Sequence, residues 1–425
     1  MKDIAEKSLF DIPGGWKTLL WILVLLGIGM FIAGLMTGGE ESVVRTWQAF
    51  LINTVFWGGI AHAGVLFAVI WQLTDAKWGR AFKRLAEACA GFLPISFLMF
   101  MVVFFGSHVL YEWTHTPFLH HGEAVKQGWL NLPFFISRNV FWLLLIYGIS
   151  YWFIKTSIKP DIALARRLIG SDWGGKFADW VLEDYGEHET EVIRLEKLSR
   201  KIAPVLALIY AIGGSFLAWD FVMTLDQTWF STLFGVFVMI GNMHAFLGLM
   251  LVVAVTVRKK FGIEEYISIN RLHDLAKMTF AFSLLWTYMG YSQYIVIWYA
   301  DLPEETPYLI IRSMNAPWNT LFLVIILWVF VSVFLGLLPR TLCRMPNYIR
   351  LMGIWVMLGQ LLSVYIMVVP SLQHDGHYHI FMGMHELLIT LGFVGAFFLC
   401  YLAFLGKLPI LPISDKHLCR TWHGH

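Results

Sequence analysis

The chain has 425 residues, 58% of them hydrophobic and only 14% charged, against roughly 25% charged in an average soluble domain. Too few charged side chains remain to coat a water-facing surface, which excludes a soluble globular enzyme. The net charge of +2 is nearly balanced and gives no sign of nucleic-acid binding.

A membrane-crossing helix needs about 20 mostly apolar residues, and ten runs meet that need. After a polar tail, the first covers 17–37 and lacks a small-residue cleavage site, so it is expected to be a retained helix. The others lie near 47–73, 89–111, 131–154, 203–223, 230–256, 277–299, 317–338, 349–369 and 385–405. No run alternates with period two, which excludes a β-barrel. The long connection 155–202 reads as the largest soluble piece. Within it, Val192, Leu195 and Leu198 have helical spacing among charges, as in an interfacial amphipathic helix or a solvated connector. The tail after Gly406 reads as irregular.

Basic residues fix the expected orientation. With the N-terminus inside, 27 of the 31 Lys and Arg residues fall in inner segments. Arg45, Lys126 and Arg312 lie in outer loops, and Arg138 lies inside a run. Both termini are therefore expected in the cytoplasm, with the chain in a bacterial cytoplasmic membrane.

Two stretches resemble each other. GGIAHAGVLFAVIW in the second run precedes a basic loop and Arg84-Leu85-Ala86-Glu87. GNMHAFLGLMLVV in the sixth precedes a basic loop and Arg271-Leu272-His273-Asp274. Both units start outside, so the repeat is parallel. The expected architecture is an all-α integral membrane protein of about ten helices. Runs two to five and six to nine form two four-helix bundles, with the first and last helices peripheral. In residue terms this gives a tail and first helix over 1–46, bundles over 47–223 and 224–370, and a His-rich loop, last helix and tail over 371–425.

Ionisable side chains inside a membrane are costly unless paired or hydrated, so each marks a candidate site. His62 and His244 sit near the middle of the second and sixth runs. They read as haem ligands, as a proton relay or quinone-ring contact, or as histidines satisfied by a neighbouring carbonyl. A paired-haem bundle usually takes two histidines on each of two helices, and here each run has one. Glu87 and Asp274 stand near the inner mouths of the third and seventh runs, with Lys277 one turn beyond Asp274. They read either as acids complementing helix dipoles or as two proton entrances, one per bundle. Arg138 either snorkels outward or pairs with Asp220.

The seventh run is unusually polar, with Ser283, Thr287, Tyr288, Tyr291, Ser292, Gln293 and Tyr294. Its hydroxyls either pass a proton through water or cement helix packing. A second-bundle path would run from Asp274 and Lys277 through His244, Tyr288 and Tyr291 to Asp301. At about 1.5 Å per residue its steps require ordered water. His374, Asp375, His377 and His379 in the outer 370–385 loop read as metal ligands or, since no common zinc spacing fits, as an interfacial or partner-contacting loop. The four cysteines form no CxxC and no CxxCH, so no cysteine-held haem or iron–sulfur cluster is expected on this chain.

The segments WDFVMTLDQTWFSTLFG (Trp219 to Gly235) and LHDLAKMTFAFSLLWTYMGYSQYIVIWYADLPEET (Leu272 to Thr306) resemble the NrfD-like (PsrC-like) integral membrane subunits. So do AHAGVLF (Ala61 to Phe67), RLAEACAGFLP (Arg84 to Pro94) and LNLPFFISRNVFW (Leu130 to Trp142). The likeness runs from about Trp47 to Pro370 and is greatest to the ActF-type subunit of bacterial alternative complex III. It implies ten helices, no cofactor bound by this chain, and membership of a respiratory quinol:cytochrome c or quinol:acceptor oxidoreductase. Haem c and iron–sulfur clusters would sit on partners: an iron–sulfur protein and multihaem and monohaem cytochrome c subunits, beside a sister NrfD-like membrane subunit. The resemblance allows quinol or quinone contact and gives the ActF-type copy a part in proton transfer. The competing reading is a standalone ion or proton transporter.

Overall fold

The computed structural model describes residues 2–415 and 418, apart from 38, 117, 118, 121, 122, 125 and 374–378. A short helix α1 (Lys2–Ser8) precedes the first long one, α2 (Gly14–Met36). The second is α3 (Glu40–Thr74). The third span is broken: α4 (Lys83–Glu87) passes through a tight 3₁₀ stretch, Ala88–Phe92, into α5 (Leu93–Phe105), with one further turn, α6 (Ser107–Leu110). Pro94 stands in the first turn of α5, where its missing N–H costs nothing.

The fourth and fifth spans are α7 (Leu132–Ile169) and α9 (His188–Phe221), joined through α8 (Gly175–Leu182). Asn131 caps α7 by accepting a bond from Phe134 N at 3.0 Å. Then come α10 (Phe234–Phe261), α11 (Ile269–Ala300) and a short α12 (Thr306–Ser313). The eighth span is α13 (Trp318–Ile325), a π-helical stretch Ile326–Ser332, and α14 (Val333–Leu337). The last two are α15 (Pro346–Val368) and α16 (Met384–Leu405).

The fold is that of an all-α membrane protein. Among the described residues nine helices are long and apolar enough to cross a membrane. The tenth expected span, α11, is long enough at 32 residues, but its Ser, Thr, Tyr and Gln residues keep it out of that set. In the first bundle α7 packs on α9, while α3 packs on α9 and α5; in the second, α10 packs on α15 and α11, and α11 on α14. The bundles meet where α3 and α9 touch α10 and where α3 touches α15. The first and last long helices, α2 and α16, pack on each other and against α3.

The 155–202 connection, expected as a loop, is mainly helical. Helix α7 runs on to Ile169 through Pro160, and α9 begins at His188 and continues unbroken through Pro204 into the membrane span. The segment expected as a separate interfacial helix is the first part of α9, with Leu195 and Ser199 buried. After Gly406 the described residues 407–415 are irregular, as expected, and are built into the protein, with Leu408, Ile410, Leu411 and Ile413 buried. We call the end that carries the basic loops the basic end and the opposite one the far end.

Candidate functional site

The first bundle holds three buried polar groups stacked along one face of α7. At the basic end, Arg84 of α4 is the hub. Its Nε donates to Asp161 Oδ2 at 2.7 Å and its Nη2 to the Ser157 carbonyl at 2.9 Å. Its Nη1 pairs with Glu87 and donates to Ser157 Oγ at 3.1 Å. Ser157 Oγ in turn donates to Glu87 Oε1 at 2.6 Å. The other Asp161 oxygen accepts from Ser414 N at 2.8 Å and from the Ser414 hydroxyl. Arg84, Glu87 and Asp161 are fully or almost fully buried. Beside them lies a cavity of about 150 Å³ lined by Arg80, Lys83, Glu196, Ser199 and Asp415. One arginine faces two carboxylates here, and Lys83 feels both of them and Asp415 as well.

Midway, the His62 ring packs edge-on against Tyr147 of α7 and Tyr210 of α9, with centroids 5.1 and 5.7 Å away. Tyr147 shares a hydrogen bond with Ser96 Oγ at 2.9 Å, and Tyr210 one with Ser150 Oγ at 3.3 Å. His62 Nε2 is buried without a partner. It borders a cavity of about 60 Å³ shared with Phe100, Tyr210, Gly214 and Asn242. That is room for water and far below the roughly 300 Å³ where ligand pockets begin.

At the far end, Arg138 grips Asp220 with two bonds, Nε to Oδ2 at 2.6 Å and Nη2 to Oδ1 at 2.7 Å. Asn139 Nδ2 adds a third at 2.8 Å. The guanidinium also donates to the Trp129 carbonyl at 2.9 Å and lies 4.0 Å over the Trp129 ring. Of the two alternatives for Arg138, pairing with Asp220 is the one realised.

The second bundle does not assemble the expected path. Asp274 and Lys277 form an i, i+3 pair at 3.1 Å, with 42% and 60% of their side chains exposed. Tyr288 and Tyr291 are 64% and 59% exposed, on the outward face of α11, whereas His244 is buried. Asp301 is an exposed C-cap residue with positive φ. His244 Nδ1 accepts from Gln360 Nε2 at 2.9 Å, and its Nε2 is buried without a partner. The remaining hydroxyls act as packing groups: Ser283 Oγ donates to the Val329 carbonyl in the π-helical stretch at 2.7 Å, and Thr287 and Ser292 bond back to their own helix.

Sequence reasoning missed Arg84, Asp161, Ser157 and Tyr210. Arg84 stood in the repeat motif beside Glu87, which was a usable signal. Asp161 lay hidden in an apparent loop, and Ser414 in an apparently free tail. It also missed Arg312, which is buried and held by the Ile366, Met367 and Tyr308 carbonyls and by Ser371 Oγ at 2.6–3.1 Å. Burial lowers its guanidinium from the ordinary value, while Tyr308 and Asp226 act in the opposite sense. No group of three or more His, Cys, Asp or Glu residues that could hold a metal ion occurs among the described residues. His374, Asp375 and His377 lie outside them. His379 is described, and its backbone N–H donates to Gln373. Compared with known proteins, the chain matches no protein-family model, and no curated protein matches its sequence.

Proposed function

We propose that the chain is a membrane subunit of a respiratory quinol:acceptor oxidoreductase and carries protons through its first bundle. Electrons would travel on partner subunits, because its sequence offers no cysteine motif for haem or iron–sulfur attachment. The observation that carries the proton reading is the polar face of α7. Asn139, Tyr147, Ser150, Ser157 and Asp161 share that face, all buried. From Asn139 to Asp161 it extends about 33 Å at helical rise, close to the roughly 30 Å of a bilayer's hydrocarbon core. Burying ionisable groups along that length is costly unless they are paired or hydrated. Glu87 and Asp161 share the single guanidinium of Arg84, so the cluster holds one carboxylate more than that arginine neutralises, and this is the proposed proton-holding point. His62, beside a water-sized cavity, is the natural midpoint.

The quinol reading rests on the NrfD-like motifs alone, and the transporter reading has the same proton face without them. The test is Glu87→Gln in the purified complex. Proton translocation per electron should fall toward the ratio set by quinol oxidation alone, while subunit assembly stays intact. Asp274→Asn, on the exposed pair, should leave the ratio unchanged. An intact Glu87→Gln complex with an unaltered ratio would remove the first-bundle path.

A further inference from the structure

A cavity of about 560 Å³ lies toward the far end, walled by α3, α15 and α16 and lined by Arg45, Gln48, Asn53, Tyr365, Phe381 and Glu386 among others. The volume falls within the roughly 300–1,000 Å³ of small-molecule sites. None of these residues belongs to the first-bundle ladder. Almost every polar group around it is already engaged. Arg45 Nε and Nη2 both donate to Glu386 Oε1, at 2.9 and 2.7 Å, and the guanidinium lies 4.5 Å over the Phe381 ring. The Tyr365 hydroxyl donates to the Phe381 carbonyl at 3.0 Å and accepts from Phe381 N at 2.9 Å. Asn53 Nδ2 donates to Ala49 O and Thr390 Oγ1 at 2.9 and 3.0 Å.

Two groups are exceptions. Asn53 Oδ1 is buried without a partner. Gln48 is only 3% exposed and lines the cavity, and its amide makes no hydrogen bond among the described residues. An amide left unbonded within the protein turns its donors and its acceptor to the cavity it lines.

We propose that this cavity binds an uncharged amphiphile with a hydroxyl head and a hydrocarbon tail, the head bonded to Gln48. A hydroxyl both donates and accepts, as does the amide. The head carries no net charge because Arg45 and Glu386 already cancel each other. Gln48 lies one turn beyond Arg45, about 4–5 Å along α3, so the head sits just beneath the ion pair. The tail runs against Ile52, Leu361 and Leu362, and the half-exposed Met382 and Leu387 mark where the cavity opens. Two sources supply this chemistry, a neutral glycerolipid and a lipid-soluble hydroquinone. The site is independent of the proton path and stands or falls without it.

The test titrates the full chain, in phosphatidylcholine nanodiscs, with 1,2-dioctanoylglycerol and separately with a decyl-substituted hydroquinone, reading bound mass per chain. At least one probe should bind one to one, and which of them binds identifies the source. Gln48→Leu should weaken binding roughly tenfold, the scale of a lost buried hydrogen bond, with the melting temperature in the absence of probe unchanged. Leu387→Trp, at the exposed mouth, should block binding by filling the opening, and carries the test if Gln48→Leu fails to fold. The proposal is overturned if neither probe binds, if both variants bind like the wild type, or if dioctanoylphosphatidic acid, with its charged head, binds more tightly than either probe.

Discussion

Asp220 accepts three hydrogen bonds from Arg138 and Asn139 and has no contact with solvent. A buried pair of this kind is weak evidence for stability as a whole, yet removing one partner leaves an uncompensated charge and typically costs 3–5 kcal/mol. Asp220→Ala should therefore destabilise the purified protein by about that amount in thermal unfolding. Asp220→Leu combined with Arg138→Met should recover most of the loss, and the double-mutant cycle measures the coupling. A double variant no more stable than Asp220→Ala would show that the pair is not what holds the far end. This pair was legible in the sequence because both charges fall near the same end of adjacent spans. Arg84 and Asp161 were not, because Asp161 follows Pro160 in a stretch whose charges mimic a loop. Only the buried serine, aspartate and alanine positions of α7 reveal that the helix continues.

Helix pairing rests on small residues where two backbones meet. A side-chain carbon at Gly27 would run into the backbone of Gly392, and one at Gly392 into that of Gly27. That close approach lets α2 lie along α16 without a groove of larger side chains, as small-residue crossings do in membranes. Gly392→Val should push the helices apart and lower stability by about 1–3 kcal/mol, the usual cost of overpacking. Gly29→Ala, where nothing lies within 4 Å, should leave the melting temperature unchanged. Equal effects from the two would show that helix propensity, and not the crossing, sets the outcome. The spans themselves were readable from apolar length. The π-helical stretch was not, because Ile326–Ser332 is as apolar as its flanks. It shows only in its contacts, which include Ser283 on the Val329 carbonyl and the Trp328 indole N–H on the Trp355 carbonyl.

Across the whole molecule, the parallel repeat places His62 and His244 on α3 and α10, which run in the same direction and meet where Gly59 abuts the Asn242 side chain. Each histidine turns into its own bundle, one toward Tyr147 and Tyr210 and the other onto Gln360. The repeat then diverges. Glu87 is buried under Arg84, whereas its counterpart Asp274 sits in an exposed pair, so one bundle keeps a polar interior and the other closes. Which compartment feeds the buried carboxylates depends on orientation. By the positive-inside tendency, the 27-to-3 bias of basic residues would place the basic end in the cytoplasm, and proton uptake at Glu87 would then start there. Lys176, exposed in the first turn of α8, reports this directly. With Cys89, Cys343, Cys400 and Cys419 replaced by serine, a Lys176→Cys chain should react with a membrane-impermeant maleimide in inverted vesicles and not in intact spheroplasts. Labelling in spheroplasts alone would reverse the orientation and make Glu87 an exit. Labelling on both sides would mean that the charge bias does not fix one topology.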